Sequence, residues 1–421
     1  MISFILKSKN INRASYLWNA VSGMLNSVQS PMLLLLVARG TNGVNDSAVF
    51  VIAYAIANLM MMIGKYGVRN FQVTDAINKY NFSDYLFARK ITTIIMIVSS
   101  FCYVVANGYS FEKMCIVLLV CILKVFDSYE DVYHSQLQKI GRLDVAGKIL
   151  SIRLIYYFVS FSVVYILCDN LLTACIISVL SSILVGVVLD VIAWKEFDIE
   201  CKKHDKKNVI QILKSCFPLF LCSYLIMYIA NAPKYIVDEF YSTDIQAAFN
   251  YVFMPVFVIA LFGNFIFQPM QTKAAKIYKE GEYKKFNSLI IKGTIEVLII
   301  TLVIAFIGYL FGIPVMSIVF NYDLSSYRKE LVILLITGGG LALINMINIF
   351  ISLIRYQKHM IISYCLLAVI TKVVGDIVAG KYSVLTLIEF YCMVVYLLMI
   401  ILMIVLVLGI KKGKKQGNIG G

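Results

Sequence analysis

Twelve long apolar segments constrain this chain more than any other feature. They run roughly over 14–38, 47–68, 87–107, 113–137, 143–167, 170–193, 211–232, 246–269, 288–311, 330–353, 359–380 and 383–409. Crossing a bilayer core takes about 20 apolar residues in a helix; the weak segments are the first, which holds Asn19, Ser22, Asn26, Ser27, Gln29 and Ser30, and the fourth, which holds charges. Composition agrees: 60% of the 421 residues are apolar and 15% are charged, against about 45–50% and about 25% in soluble domains. These figures exclude a water-soluble enzyme, a disordered chain and a secreted disulfide scaffold. Continuous apolar runs also exclude an outer-membrane barrel, whose strands alternate.

The formal net charge is +14, and its placement orients the chain. Every second connection is basic: Lys7, Lys9 and Arg13, then Lys65, Arg69, Lys79, Arg89 and Lys90, then Lys139, Arg142 and Lys148. The pattern continues through Lys203, Lys206, Lys207 and Lys214, Lys276, Lys284 and Lys285, and the tail Lys411, Lys412, Lys414 and Lys415. The alternate connections carry few cations, among them Arg39, Lys113, Lys234, Arg328, Lys329 and Lys381. By the positive-inside rule both termini are expected on the cytoplasmic side. No basic, aromatic-interleaved domain stands outside the apolar segments, so no nucleic-acid partner is expected. The ten cysteines form no CxxC pair, and no His lies at metal-ligand spacing. Neither a disulfide framework nor a metal site is expected. The segment Met1–Ile11 lacks a cleavable signal pattern. No nucleotide loop is present, and Gly338-Gly339-Gly340, in mid-segment, reads as close helix packing. No cofactor is expected.

The halves resemble each other. Ala48-Val49-Phe50 corresponds to Ala247-Ala248-Phe249, and Phe71-Gln72 to Phe267-Gln268, each pair followed by a basic amphipathic loop. Those loops, 69–86 and 271–287, read either as short helices on the inner leaflet or as solvated connections. Six spans per half make the repeat parallel, and such repeats place a substrate site between halves. The expected fold is an all-α polytopic membrane protein of about 12 transmembrane helices in two six-helix lobes, 1–200 and 201–421, around a central cavity.

Ionisable residues inside the spans carry the chemistry. Each costs at least about 2.5–3.5 kcal/mol at mid-membrane, so it requires a partner, water or a function. In the fourth span Lys124, Asp127, Glu130, Asp131 and His134 fall at i, i+3, i+6, i+7 and i+10, one polar stripe. Either the stripe lines a cavity, with Asp127, Glu130 or Asp131 binding a coupling ion, or the span ends near Phe126 and the acids lie at the interface. The second alternative leaves a helix too short to cross. Arg153, near the middle of the fifth span, suits phosphate oxygens or an ion pair with a fourth-span acid. Lys372 and Asp376 form either an intrahelical pair or a cavity-facing lysine. Lys234 and Asp238, beyond Pro233, read equally as a loop ion pair or a substrate contact. Cations at Lys124, Arg153 and Lys372 favour an anionic substrate. No Ser/His/Asp set and no paired acids on an outer loop suggest catalysis.

The stretch Phe217-Pro218-Leu219, Asn231-Ala232-Pro233-Lys234-Tyr235, Gln246 to Pro255 and Phe267-Gln268-Pro269 resembles the polysaccharide repeat-unit flippases. These are the Wzx-type (O-antigen and capsule) proteins of the multidrug/oligosaccharidyl-lipid/polysaccharide (MOP) exporter superfamily. The length, spans and short loops match over nearly the whole chain. The resemblance implies no enzyme, but a flippase of undecaprenyl-pyrophosphate-linked oligosaccharides in the bacterial cytoplasmic (inner) membrane, moving them from inner to outer leaflet by alternating access. It implies H⁺ or Na⁺ coupling, contact with membrane lipids and with other glycan-assembly proteins, and a cationic cavity for the lipid-linked oligosaccharide, which depth in the spans maps onto Lys124, Arg153 and Lys372; Lys234 is a further candidate substrate-binding residue. The rivals are a multidrug or cation antiporter of the same superfamily and a membrane enzyme of glycan assembly such as a polymerase. The latter usually needs a large outer loop.

Overall fold

The computed structural model describes residues 2–75, 79–197, 199, 203–256, 259, 270–271, 273–274, 276–278, 280–354 and 356–417. Its helices are α1 (Ile2–Leu6), α2 (Ile11–Val37), α3 (Gly43–Lys65), α4 (Val68–Thr74), α5 (Phe82–Ala106), α6 (Phe111–Lys139), α7 (Leu143–Cys168) and α8 (Leu171–Glu196). They continue as α9 (Lys206–Phe240), α10 (Thr243–Phe253), α11 (Tyr283–Ile307), α12 (Ile313–Phe320), α13 (Arg328–Leu353), α14 (Met360–Lys381) and α15 (Val384–Gly417). No strand occurs among the described residues. Ten helical stretches are long and apolar enough to cross a membrane, and the chain is a multi-pass membrane protein. Two expected spans fall outside that ten. One is α6, whose charges lower its hydropathy. The other begins with α10 and runs into 260–269, outside the described residues, as does Phe267-Gln268-Pro269.

The helices are inside-out relative to those of a soluble protein. On α5 the buried face carries Asp84, Arg89, Thr92, Thr93 and Ser100. Its exposed face carries Ile94, Ile95, Ile97, Val98 and Phe101. Lipid solvates the apolar face, and the polar groups find partners only within the protein. Local sequence sets the helix ends. The Asn10 side chain accepts from the Arg13 N–H at 3.0 Å, and Asn170 from Thr173 at 2.8 Å, each satisfying an orphan donor of the first turn. Between α3 and α4, Tyr66 and Gly67 both take left-handed backbone (φ 48° and 71°), which turns the chain so that 68–74 forms a separate short helix. The connection after the second span is therefore helical in its first part.

The chain divides into two compact units, Met1–Met227 and Tyr228–Gly421. In the first, α2 packs on α7, α3 on α5 and α6, and α8 on α6 and α7. The short α1 docks through Ile5 and Leu6 against Leu137, Val145, Ile149 and Leu189. In the second unit α13 packs against α11 and α15, and α14 against α15. A five-residue π-helical turn, Gly308–Gly312, joins α11 to α12. It lets helical structure continue into Pro314, whose ring would clash with an unbroken α-helical ladder.

Helix α6 is continuous over 29 residues, about 43 Å at about 1.5 Å per residue, so it does not end near Phe126. Helix α9 likewise runs through Pro218 and Pro233 to Phe240. Lys234 and Asp238 thus sit on a helix and not in a loop. Packing explains the continuity, since Ala232, Ile236 and Val237 around Pro233 are buried. The triple glycine of α13 serves close approach. A Cβ on Gly339 would lie 2.3 Å from Thr301 Oγ1 of α11, and one on Gly340 2.8 Å from Val395 Cγ1 of α15.

Candidate functional site

The polar stripe of α6 is buried in the first unit, and its members divide between two sides of the helix. Glu130 and Asp131 are adjacent, so their side chains leave α6 about 100° apart. Asp131 points toward α4 and α5. Its Oδ2 is 3.0 Å from Arg89 Nη2 and its Oδ1 2.8 Å from Arg69 Nη1. Arg89 is fully buried and also donates to the Gly64 carbonyl of α3 at 2.6 Å. Gly64 is required for that approach, because a Cβ there would lie 2.7 Å from Ser128 Oγ. One guanidinium thus ties α3, α5 and α6 together.

On the other side, Arg153 of α7 is 1% exposed. Its Nη2 lies 2.5 Å from Asp127 Oδ1 and 3.0 Å from Glu130 Oε2, and its Nη1 donates to Ser182 Oγ of α8 at 3.4 Å. Gly186 of α8 makes room, since a Cβ there would sit 2.8 Å from Arg153 Cδ. Lys124 Nζ pairs with the second Asp127 oxygen at 2.8 Å and lies 5.9 Å from the Tyr54 ring. The Tyr54 and Tyr157 hydroxyls are 2.7 Å apart. Two cations therefore face two acids, and the four formal charges cancel. One turn further along α6, His134 Nε2 lies 3.3 Å from Glu130 Oε1 and 3.3 Å from Asp190 Oδ1 of α8.

The structure thus brings Lys124, Asp127, Glu130 and Arg153 together and sets Asp131 apart on the arginine side. The other two expected substrate residues belong to the second unit. Lys372, on α14, is half exposed and pairs with Asp376 at 2.9 Å and Glu239 at 2.8 Å. Lys234, on α9, is buried with Nζ 4.7 Å from the Phe253 ring centroid. Sequence reasoning missed three partners. Arg89 counts as a loop charge if the span starts at 87, but α5 starts at Phe82 and carries Arg89 two turns in. Arg69 was counted with it. Asp190, an acid in the apolar run Leu184–Val191, carried a legible signal that the α6 stripe overshadowed. The nine described cysteines are free thiols, and Cys121, Cys175 and Cys216 are packed as small apolar side chains.

No family model matches the sequence. The chain is 24% identical over 400 residues to the "Capsular polysaccharide biosynthesis protein CapF" of Staphylococcus aureus, covering 89% of this chain and 96% of that protein. Among solved structures it superposes on an inward-facing multidrug resistance MATE transporter of the MOP superfamily, with TM-score 0.65 and 15% identity over 94% of this chain and 96% of that one. It superposes also on the Vibrio cholerae MATE transporter VcmN in its bent form, with TM-score 0.62 and 12% identity over 96% and 98%. The chain has the MATE fold, and the resemblance read from its sequence is borne out.

Proposed function

We propose that the chain is a flippase that carries undecaprenyl-pyrophosphate-linked oligosaccharide repeat units from the inner to the outer leaflet of a bacterial cytoplasmic membrane. The observation that carries this reading is the buried set Lys124, Asp127, Glu130 and Arg153, held between spanning helices. The likeness over nearly its full length to a capsular polysaccharide biosynthesis protein supports it.

The chemistry follows from charge balance. A pyrophosphate enters a low-dielectric region only if cations meet it. Arg153 presents a planar fork suited to phosphate oxygens, whereas Lys124 acts as a point charge. In this structure both are held by acids. Breaking such a buried pair costs about 3–5 kcal/mol unless the freed charge finds a new partner. Phosphate supplies the partner for the cations, and an H⁺ or Na⁺ arriving at Asp127 or Glu130 neutralises the acid left behind. Ion binding and substrate binding thereby become linked. Asp131, clamped by two arginines, positions α5 and α6 under this exchange. Within the second unit, Lys372 and Lys234 are the further substrate-binding cations of this proposal. The loop charges support a cytoplasmic side for both termini.

The test is translocation of a lipid-linked oligosaccharide in reconstituted vesicles by the wild type, Arg153→Ala and Lys124→Ala, each checked for insertion by chromatography. Transport by the wild type and its loss in both variants is expected. Full transport in both variants would remove the site while keeping the function. A second reading, an exporter of drugs or organic cations, is favoured by the multidrug transporters among the structural neighbours. Efflux of a cationic dye without oligosaccharide transport would replace the first reading with it.

A further inference from the structure

We propose that Glu130, His134 and Asp190 form a binding site for a divalent transition-metal cation of the Zn²⁺ type between α6 and α8. Glu130 Oε1, His134 Nε2 and Asp190 Oδ1 all lie within 4.8 Å of one another. The imidazole nitrogen is 3.3 Å from each oxygen. All three atoms are buried, and none completes a hydrogen bond of good angular geometry. The Glu130 and His134 side chains are 2% and 4% exposed. Buried polar atoms are almost always hydrogen-bonded, and three orphans converging on one point call for a shared partner.

The spacing fits a metal ion. Ligands about 2.0–2.1 Å from a tetrahedral Zn²⁺ stand about 3.3–3.4 Å apart, as the nitrogen stands from each oxygen here. Glu130 and His134 at i, i+4 share one face of α6, and Asp190 closes the site from α8. Arg153 Nη2 holds the other Glu130 oxygen at 3.0 Å. It thereby turns Oε1 into the site, as outer groups orient carboxylate ligands. Asp190 adds one carboxylate beyond the charge-balanced set Lys124, Arg153, Asp127 and Glu130. An imidazole ligand selects against Na⁺, Mg²⁺ and Ca²⁺, which prefer oxygen donors alone. Three protein ligands leave a fourth position open. Asp190 lies far from Glu130 in sequence, so no spacing motif announces the site.

The site is separable from the transport reading, because binding is measured on purified, tag-free protein without substrate. Chelator-treated wild type, titrated with Zn²⁺ alone, is expected to take up a single tight equivalent. His134→Ala and Asp190→Asn are expected to weaken uptake at least about tenfold. The double variant His204→Ala/His359→Ala, which removes the only other histidines of the chain, is expected to keep it. Should the single variants fail to fold, Co²⁺ added to wild type gives the answer alone, since a four-coordinate site shows intense visible bands and a six-coordinate one weak bands. No tight uptake by wild type, uptake unchanged in His134→Ala, or a six-coordinate Co²⁺ spectrum would each overturn the proposal. Absence of transport in vesicles would leave it standing.

Discussion

Among the described residues, helices of 1–227 are joined by buried charge, whereas those of 228–421 are joined mainly by small residues and apolar contact. Arg89 binds α3, α5 and α6 through Gly64 and Asp131, and Arg153 binds α7 to α6 through Asp127 and Glu130. Across α13 the corresponding contacts are Gly339 on Thr301 and Gly340 on Val395. Among the described residues of the second unit, Lys234 is the one buried charged side chain. The contrast teaches where change is cheap. A small-residue interface has one good arrangement, because any separation loses its contacts. A buried ion pair gains little over an apolar replacement, yet it is costly to break one-sidedly. It can therefore exchange partners when an ion or an anion arrives, and the first unit is where such an exchange can be built.

The largest expected effect breaks that contrast at its centre. Arg153→Met retains a long side chain but leaves Asp127 and Glu130 short of a cation. A loss of about 3–5 kcal/mol is expected, read as a fall in melting temperature in detergent. Lys372→Gln removes a cation from a half-exposed pair with Glu239 and Asp376, and about 1 kcal/mol or less is expected. Equal losses in the two variants would mean that the two units do not differ in their dependence on charge.

The same contrast marks what the sequence could tell. Spans and the α6 stripe were legible, because a bilayer forbids unpaired charge and so makes each intramembrane ion conspicuous. The partners were not. Whether Arg153 meets α6 acids or faces open space depends on the rotation of α7 about its axis, which no local spacing records. Lys372 illustrates the limit: it shares its helix with Asp376, as the spacing allowed, but its second partner, Glu239, comes from α9. Arg89 was obscured because the apolar run begins later than the helix does. Proline misled at Pro233, where tertiary packing overrides a local helix-breaking preference.

The packed interface of the second unit is expected to fail under the opposite change, added volume. Gly339→Ala places a methyl against Thr301 Oγ1 and Cγ2. Overpacking of this kind costs about 1–3 kcal/mol. Thr301→Ala removes both clashing atoms, so the double variant is expected to regain part of the loss. Additive losses would show that α13 shifts away from α11 instead of straining against it.

The smallest effect concerns charge outside the spans. Asp75 ends α4, and its carboxylate accepts from the Lys79 N–H at 3.0 Å, the Tyr80 N–H at 3.2 Å and the Tyr85 hydroxyl at 3.0 Å. Lys139 Nζ lies 3.6 Å away. Burial raises the pKa of this carboxyl, but the backbone donors, the tyrosine and the lysine together outweigh it and hold it below the usual range. A folded pKa below the unfolded one means that the unfolded chain binds the proton more readily, so this contribution to stability rises with pH. It is fully present above the unfolded value, about 3.9 for Asp, and is lost as pH falls through the lower folded value. The melting-temperature gap between wild type and Asp75→Asn is therefore expected to be widest near neutral pH and to shrink below about pH 4. Lys139→Ala should retain most of that gap, since the three short hydrogen bonds remain. A gap that vanished in Lys139→Ala would mean that long-range charge, and not local hydrogen bonding, ties Asp75 to the start of α5.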